Sequence, residues 1–581
     1  MTIQNKEIRD IFNQVADFME IKGENPFRIR AYREAARFID GMSDQMAQMV
    51  KAEQDLTQYR GIGKDLAGKI KEIVETGNLE YLEELKTELP ASLLNLLAVP
   101  ALGPKKVAAI YHKLGVATVA DLKSAAEAGK IAPLEGFGEK TQENILESLG
   151  RLKKDAGKRV LWSDAQPVAA ALESHIKNQD GVKKVTVAGS FRRGKETVGD
   201  LDILVTCRRG HEKDLMKAFV EFEDVARIDA HGRTKSSVHL RSGLQVDLRI
   251  VPAVSYGAAL HYFTGSKAHN VAVRKLAVEK GLKINEYGVY KNDDRIAGET
   301  EAAVYKAVGL ACIEPELREN MGEIEAARSG GLPHLITVSD IRGDLHLHTT
   351  RTDGRSSLAE VVKAAKDKGY EYIAITEHSQ QVAMAGGLDE KQVREHMAEI
   401  DKINEKIDGI TVLKGMEVDI KADGTLDLPD SVLRELDLTI CSVHYQQRLD
   451  GSKQTERIIR AMDNPHFQIL GHPTARLLNR REPMDIDLNA IIKAAKERGV
   501  IIELNSQPDR LDLPHNYCKA AAEQGVKIVI STDAHSVDNL SYMQNGVTEA
   551  RRGWLTKKDV INTLPLNEFL NALKRDSKYI F

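Results

Sequence analysis

Asp200 and Asp202 stand at alternate positions of the run Asp200-Leu201-Asp202-Ile203-Leu204-Val205. Gly189-Ser190-Phe191-Arg192-Arg193-Gly194-Lys195 and Gly199 lie just before it. Alternate residues of a strand share a face, so the two carboxylates project together. Ionised and side by side, they repel unless a cation lies between them. Mg²⁺ suits that place, because it is held by one or two carboxylates and by substrate phosphates. The Gly189-Ser190 turn is set to open a helix whose free N–H groups, with the Ser190 hydroxyl, would meet a phosphate. Arg192 and Arg193 add positive charge. A second strand, Leu244 to Pro252, puts Val246, Leu248 and Ile250 on one side and Asp247 with Gln245 and Arg249 on the other. Asp247 is thus a third carboxylate for the same face.

A different chemistry begins near residue 340. His346 and His348 form a His-x-His pair on a strand, with both imidazoles on one face, and Asp353 can fold back from the following loop. His378, Glu417, His444, His472, Asp533 and His535 recur at the ends of further strand-like runs. Imidazoles and carboxylates together suit Zn²⁺, Mn²⁺ or Fe²⁺.

The elements that must position these groups differ. The runs between the C-terminal candidates, Ser357–Lys368, Asp389–Ile407, Ile486–Arg498 and Pro514–Gln524, read as helices. Strand–helix alternation argues for a parallel barrel, in which functional residues gather at the C-terminal strand ends. Residues 321–338, with Ser329-Gly330-Gly331-Leu332-Pro333, read as a linker. The first 85 residues read as short amphipathic helices. There Gly61-Ile62-Gly63 separates two helical stretches, and similar units recur at Leu102-Gly103-Pro104-Lys105 and at Gly136-Phe137-Gly138. Such hairpins let a backbone approach a phosphate without reading a base.

Composition sets bounds. The chain of 581 residues is long enough for several domains. No apolar run approaches the roughly 20 residues of a membrane span, and the N-terminus opens a charged amphipathic segment rather than a signal peptide. Four scattered cysteines with no Cys-x-x-Cys pair lead us to expect reduced thiols and a cytoplasmic location. Lys and Arg number 19 against 23 Asp and Glu over residues 1–150, 29 against 23 over 151–320, and 34 against 40 over 321–581. The basic excess falls on the segment with the paired aspartates, where a polyanion needs it.

The Gly-Ser…Asp-x-Asp string resembles the nucleotidyltransferase palm signature, and within it the DNA polymerase X family to which polymerase beta belongs. The resemblance implies a two-ion (Mg²⁺ or Mn²⁺) site. In it Asp200 and Asp202 bridge both ions, and Asp247 contacts the one at the primer. It places the triphosphate at Gly189, Ser190, Arg193 and Gly199. Tyr262-Phe263-Thr264-Gly265-Ser266 matches the family element at the sugar of the incoming nucleotide, Asn270 a base-edge contact and Arg274 a template-strand contact. Gln245 replaces an arginine of polymerase beta and Lys267 an aspartate. The hairpins resemble the family's small N-terminal domain and fingers, with DNA-backbone contacts at Gly61, Gly63, Lys69, Gly103, Lys105, Gly136 and Gly138. Lys69 matches a Schiff-base lysine of the family. Arg28 stands where lysine is frequent and Asp65 where another base stands, so lyase activity is not carried over.

The C-terminal pattern resembles the polymerase and histidinol phosphatase (PHP) domain, a phosphoesterase that holds three metal ions. All of the family's ligand positions are filled: His346, His348, Asp353, His378, Glu417, His444, His472, Asp533 and His535. The implied architecture is multidomain. A helical helix-hairpin-helix region comprises residues 1–85 and a fingers subdomain 86–154. An α+β palm over 155–253 is followed by a thumb over 254–320. A distorted (β/α)7 barrel follows the linker, over 339–581. The implied function is gap-filling DNA repair synthesis joined to a metal-dependent 3′–5′ exonuclease, with abasic-site cleavage and 3′-phosphatase action left open. Gapped or primed DNA and deoxynucleoside triphosphates are the expected partners of a monomer with no membrane contact. A hydrolase of small phosphate esters with a DNA-binding N-terminal half, and a non-catalytic DNA-binding scaffold, are the alternatives.

Overall fold

In the computed structural model the chain divides into two units, Met1–Arg159 and Val160–Phe581. The structure describes residues 3–59, 61–97, 99, 102–151 and 159–575. Arg60, Pro100 and Ala101 of the hairpin stretches, the expected boundary at 154/155 and the last six residues lie outside these.

The first unit is helical. The helix Asn5–Lys22 buries Ile8, Phe12, Val15 and Met19, a stripe at three- and four-residue spacing that faces the core. It stops at Gly23, whose φ of 79° is the left-handed conformation glycine adopts without strain. Each glycine hairpin leads straight into a helix: Gly63 into Lys64–Thr76, Gly103 into Pro104–Leu114, and Gly138 into Glu139–Arg151. At the first of these, buried Ile62 pins the turn while Gly61 and Gly63 stay exposed.

In the second unit a five-stranded sheet carries the paired aspartates. Its order is Val182–Val187, Asp200–Cys207, Gln245–Ile250, Lys235–Leu240, Val225–His231. Only the central pair, Asp200–Cys207 with Gln245–Ile250, is parallel. Leu201, Ile203, Val205, Val246 and Leu248 point into a core under the helices Trp162–Lys177 and Glu212–Val220. Leu204, on the other face, packs under the helix Tyr256–Thr264. The alternation therefore sends Asp200, Asp202 and Asp247 away from the helix-covered core.

The following segment packs the helices Tyr256–Thr264, Lys267–Glu279 and Glu301–Ala307 against a small antiparallel sheet. The 321–338 stretch holds the helix Glu323–Ser329, which buries Ile324 and Ala327 in this core. Glu323, fully buried, lies 2.7 Å from His269 Nδ1. The sequence reads as a linker because its helix is too short to display a period.

Seven parallel strands then follow in chain order: Gly343–Asp344, Tyr372–His378, Thr411–Asp419, Leu438–Ser442, Ile469–Leu470, Ile501–Asn505 and Ile528–Ser531. A parallel bridge between Leu347 and Ala534 brings the chain after the first strand beside the chain after the last. The sheet thus nearly closes as a (β/α)7 barrel. Both strand faces are apolar and buried, one against the surrounding helices and one inside.

Candidate functional site

Strand register builds the palm site. Asp202 lies beside Asp247, and Asp200 beside Gln245. Burial, then Asp200 and Asp247, push the Asp202 carboxyl up to about 6. Burial also disfavours the Asp247 charge, yet Ser237, Gln245 and Lys235 outweigh it and lower that pKa. Gln245 donates to Asp247 at 3.1 Å, and Lys235 Nζ lies 3.4 Å from its other oxygen. Lys235, from the neighbouring strand, thus supplies a cation where the neutral Gln245 cannot. Gly189 starts the short helix Gly189–Arg192 at φ 66°, and a Cβ there would stand 2.9 Å from Asp202 Oδ2. Only glycine lets this turn approach the carboxylate so closely. Ser190 follows it in the same turn, and Gly199 directly precedes Asp200.

Arg193 is held otherwise. Its Nε meets Glu319 at 2.9 Å and its Nη1 donates to Thr264 O at 2.6 Å. Arg192 makes a two-pronged pair with Glu301, which Arg318 also contacts. Burial opposes the Glu301 charge, but Arg192 and Arg318 lower its pKa to about 2.

Tyr262, Phe263, Gly265 and Asn270 form one cluster. Tyr262 meets Phe263 edge-on at 5.0 Å, and Asn270 Nδ2 donates to Tyr262 O at 2.7 Å. Asn270 Oδ1 is buried with no hydrogen-bond partner. The Arg249 guanidinium, one strand position past Leu248, stacks 4.5 Å over Phe263 and ties the cluster to the palm strand. Arg274 is exposed and donates to Asn270 O at 3.3 Å.

In the helical unit, Gly61, Gly63, Gly103, Gly136 and Gly138 are exposed, as is Lys105. Lys106 Nζ lies 5.5 Å over the Phe137 ring, bringing the second and third hairpins together. Lys69 pairs with Asp65 and sits over the rings of Tyr32 and Tyr81 at 5.9 and 5.6 Å. The Asp65 carboxylate and the two ring faces hold this ammonium in place.

At the barrel mouth the ligand candidates converge. His348, Asp353, His378 and His535 offer one set of atoms within 4.8 Å of one another, His346, His348 and Asp533 a second, and His378, Glu417 and His444 a third. His472 joins through Nε2, 2.9 Å from Glu417 Oε1. The expected position of the His-x-His pair shifts: the strand ends at Asp344, and His346 and His348 lie just past it. The backbone there turns to bond the far end of the barrel, His348 N donating to Ala534 O at 2.9 Å. The rings still share a side, 5.1 Å apart.

Carboxylates crowd these imidazoles. Burial opposes charge on His378, yet Glu417 and Asp353 raise its pKa to about 10. For His535, Asp353 and Asp533 overcome burial and raise it to about 9. Burial and the neighbouring His378 and His535 drive His348 down to about 3. Divalent cations would take the place of these protons. The donor set fits them: His346 Nε2, both ring nitrogens of His348, His378 Nδ1, Glu417 Oε2 and His472 Nδ1 are buried without a hydrogen bond.

Supporting carboxylates stand behind the candidate ligands, and one of them, Glu503, escaped the sequence reading. Glu503, fully buried, accepts from His346 Nδ1 at 2.7 Å and from the His472 amide at 2.7 Å. This leaves His346 Nε2 facing the ligand cluster. Asp419 accepts from the His444 amide at 2.9 Å, with His444 Nδ1 at 3.2 Å. A lone acid inside the apolar strand Ile501–Asn505 was the available signal for Glu503. Arg351 pairs with Glu395 and Glu399, and the half-buried Arg476 pairs with Glu196 at 2.6 Å. A fourth ligand-like group, Glu196, His515 and Glu549, is met by Arg476 and Arg552, whose guanidiniums occupy the cation's place.

Comparison with known proteins identifies the domains in which these candidate sites lie. A helix-hairpin-helix domain model matches residues 3–79 and a SAM-like helix-hairpin-helix tandem residues 93–151. The DNA polymerase beta palm matches 159–243, the DNA polymerase beta thumb 259–319 and the PHP domain 344–507. Asp247, Asp533 and His535 fall outside those spans, so the geometry is what joins them to the sites. The chain is 38% identical over 578 residues to the DNA polymerase/3′-5′ exonuclease PolX of Bacillus subtilis (strain 168), covering 99% of this chain and 100% of the relative. It is 32% identical over 245 residues to a probable phosphatase of Thermoanaerobacter sp. (strain X514), 40% of this chain and 95% of that protein. A probable phosphatase of Clostridium acetobutylicum is 32% identical over 202 residues, 33% of this chain and 78% of the relative. Among the described residues no helix is long and apolar enough to cross a membrane. The chain belongs to the family X DNA polymerases that carry a C-terminal PHP domain, enzymes that join a DNA nucleotidyltransferase to a phosphoesterase.

Proposed function

We propose that the palm fills short gaps in DNA from deoxynucleoside triphosphates and that the PHP barrel trims 3′ termini of the same substrate. The carrying observation is the convergence of Asp200, Asp202 and Asp247 on one face, with Asp202 raised to about 6 by burial and by its two neighbours. Such a face favours a divalent cation over three bare charges. Divalent ions bound at both sites, Mg²⁺ or Mn²⁺ in the palm and Zn²⁺, Mn²⁺ or Fe²⁺ in the barrel, would activate the attacking oxygen and neutralise developing charge.

In this reading Asp200, Asp202 and Asp247 would together hold the palm's divalent ions. The Gly189-Ser190 turn, Gly199 and Arg193 receive the triphosphate, for which Arg193 would leave Glu319. Tyr262, Phe263 and Gly265 face the sugar, and the unpartnered Asn270 Oδ1 faces the base. Gly61, Gly63, Gly103, Gly136 and Gly138 bring backbone N–H groups to DNA phosphates, with Lys69, Lys105 and Arg274 as added cations. In the barrel, Glu503 fixes the His346 ring and Asp419 the His444 ring.

The phosphatase relatives favour a second reading, hydrolysis of small phosphate esters by the barrel. One gel assay separates the two. A 5′-labelled primer on a one-nucleotide gap with a 5′-phosphate is incubated with Mn²⁺, with and without nucleotides. Extension with nucleotides and shortening without them are expected. Extension alone, with turnover of p-nitrophenyl phosphate, would replace the trimming role by the small-ester reading. No extension would overturn the polymerase assignment.

A further inference from the structure

The loop from Arg193 to Glu196 joins the helix Gly189–Arg192 to the strand Thr197–Val198, just before Asp200. It is gripped from several sides. Trp162 stacks on Phe191 at 5.3 Å, donates its indole N–H to Phe191 O at 2.9 Å, and bonds Glu196 O through its amide at 2.9 Å. Glu319 takes Arg193 at 2.9 Å and Lys195 at 3.5 Å. The remaining side is the PHP barrel. Arg476 Nη2 lies 2.6 Å from Glu196 Oε1. Gly194 is buried at φ 62°, and a Cβ there would overlap Thr548 Cγ2.

Arg476 is itself fixed. Its Nε donates to Arg510 O at 2.9 Å, and it also bonds Leu511 O. It stands four residues past the ligand candidate His472. A guanidinium with this many fixed partners acts as a rigid strut rather than a mobile surface charge.

We propose that Arg476 and Thr548 of the PHP barrel are positioning residues for the palm's triphosphate loop, so that the barrel sets the polymerase's affinity for incoming nucleotide. The inference rests on the polymerase reading above. The barrel contacts no substrate of synthesis in this role. It acts through Glu196 and Gly194, which hold the turn bearing Ser190 and Arg193 in register with Asp200.

The test is single-nucleotide insertion on gapped DNA by the full-length protein. Gly194→Ala should raise the nucleotide KM about tenfold while kcat stays within about twofold. Thr548→Ala alone should raise the nucleotide KM about twofold and leave 3′ trimming unaltered. Combined with Gly194→Ala, it should restore most of the KM, because it removes the methyl that the new Cβ meets. A double variant no better than Gly194→Ala would overturn the inference, since backbone strain at residue 194 would then account for the whole effect. Glu196→Gln is a second probe: a several-fold higher KM, with 3′ trimming unaltered, is expected. A wild-type KM in Glu196→Gln would also sink it. Failure of the wild-type protein to extend the primer would instead strike the polymerase reading.

Discussion

The palm and the barrel mouth both gather acids, but they balance charge in opposite ways. The palm sets three carboxylates on two adjacent strands with Lys235 and Gln245 as its polar neighbours. The barrel interleaves its carboxylates with imidazoles, and each of Glu417, Asp353 and Asp533 lies beside at least two histidines. A site that waits for a cation arriving with its substrate can stay open and under-neutralised. A site for resident cations has its ligands built in and their rings steered from behind by Glu503 and Asp419.

The largest effects should separate the two. Asp202→Ala is expected to lower primer extension by roughly a thousandfold or more while 3′ trimming persists. His346→Ala combined with His348→Ala should abolish trimming and remove bound transition metal, with extension kept; loss of both activities in a folded variant would break the comparison. Glu503→Gln should weaken metal affinity by about 10–100-fold, seen by chelator titration, with trimming recovered at high metal.

Smaller effects sharpen the contrast. In chelator at neutral pH, Asp202→Asn should raise the melting temperature by about 2 °C by removing like-charge repulsion, whereas Glu417→Gln should lower it by stranding charged histidines. Acid should act through Glu319, whose pKa falls to about 2 because Lys195, Arg193 and Arg552 outweigh its burial. A lowered carboxyl contributes stability that is complete above its unfolded value near 4.5 and lost as pH falls toward 2. Glu319→Gln should therefore flatten the loss of stability between those values, measured by thermal melts.

Much of the palm was legible because its signal is local. Gly189 to Asp202 is one string, and alternation alone told which way Asp247 faces. The neighbouring of Asp202 and Asp247 was not legible, because register across a parallel pair is set by packing rather than by either strand's pattern. In the barrel most of the ligand candidates stood at strand ends and could be counted, while Asp353 came from a loop. Glu503 could not, since an acid inside Ile501–Asn505 carries no marker of the ring it will support. Glu323 was hidden in what read as a linker, where seven helical residues show too little period. The Arg476–Glu196 contact spans 280 positions and leaves no trace in either segment.

That separation has a consequence during synthesis. At about 5–20 residues per second, Glu196 leaves the ribosome roughly 14–56 seconds before Arg476. The barrel faces the same delay on its own scale, because Asp344 bonds Thr532, 188 positions later. A nascent chain can therefore complete the strands bearing all three palm aspartates while the loop beside them still lacks its outer brace. The hydrolytic centre comes last, when the final barrel strands dock.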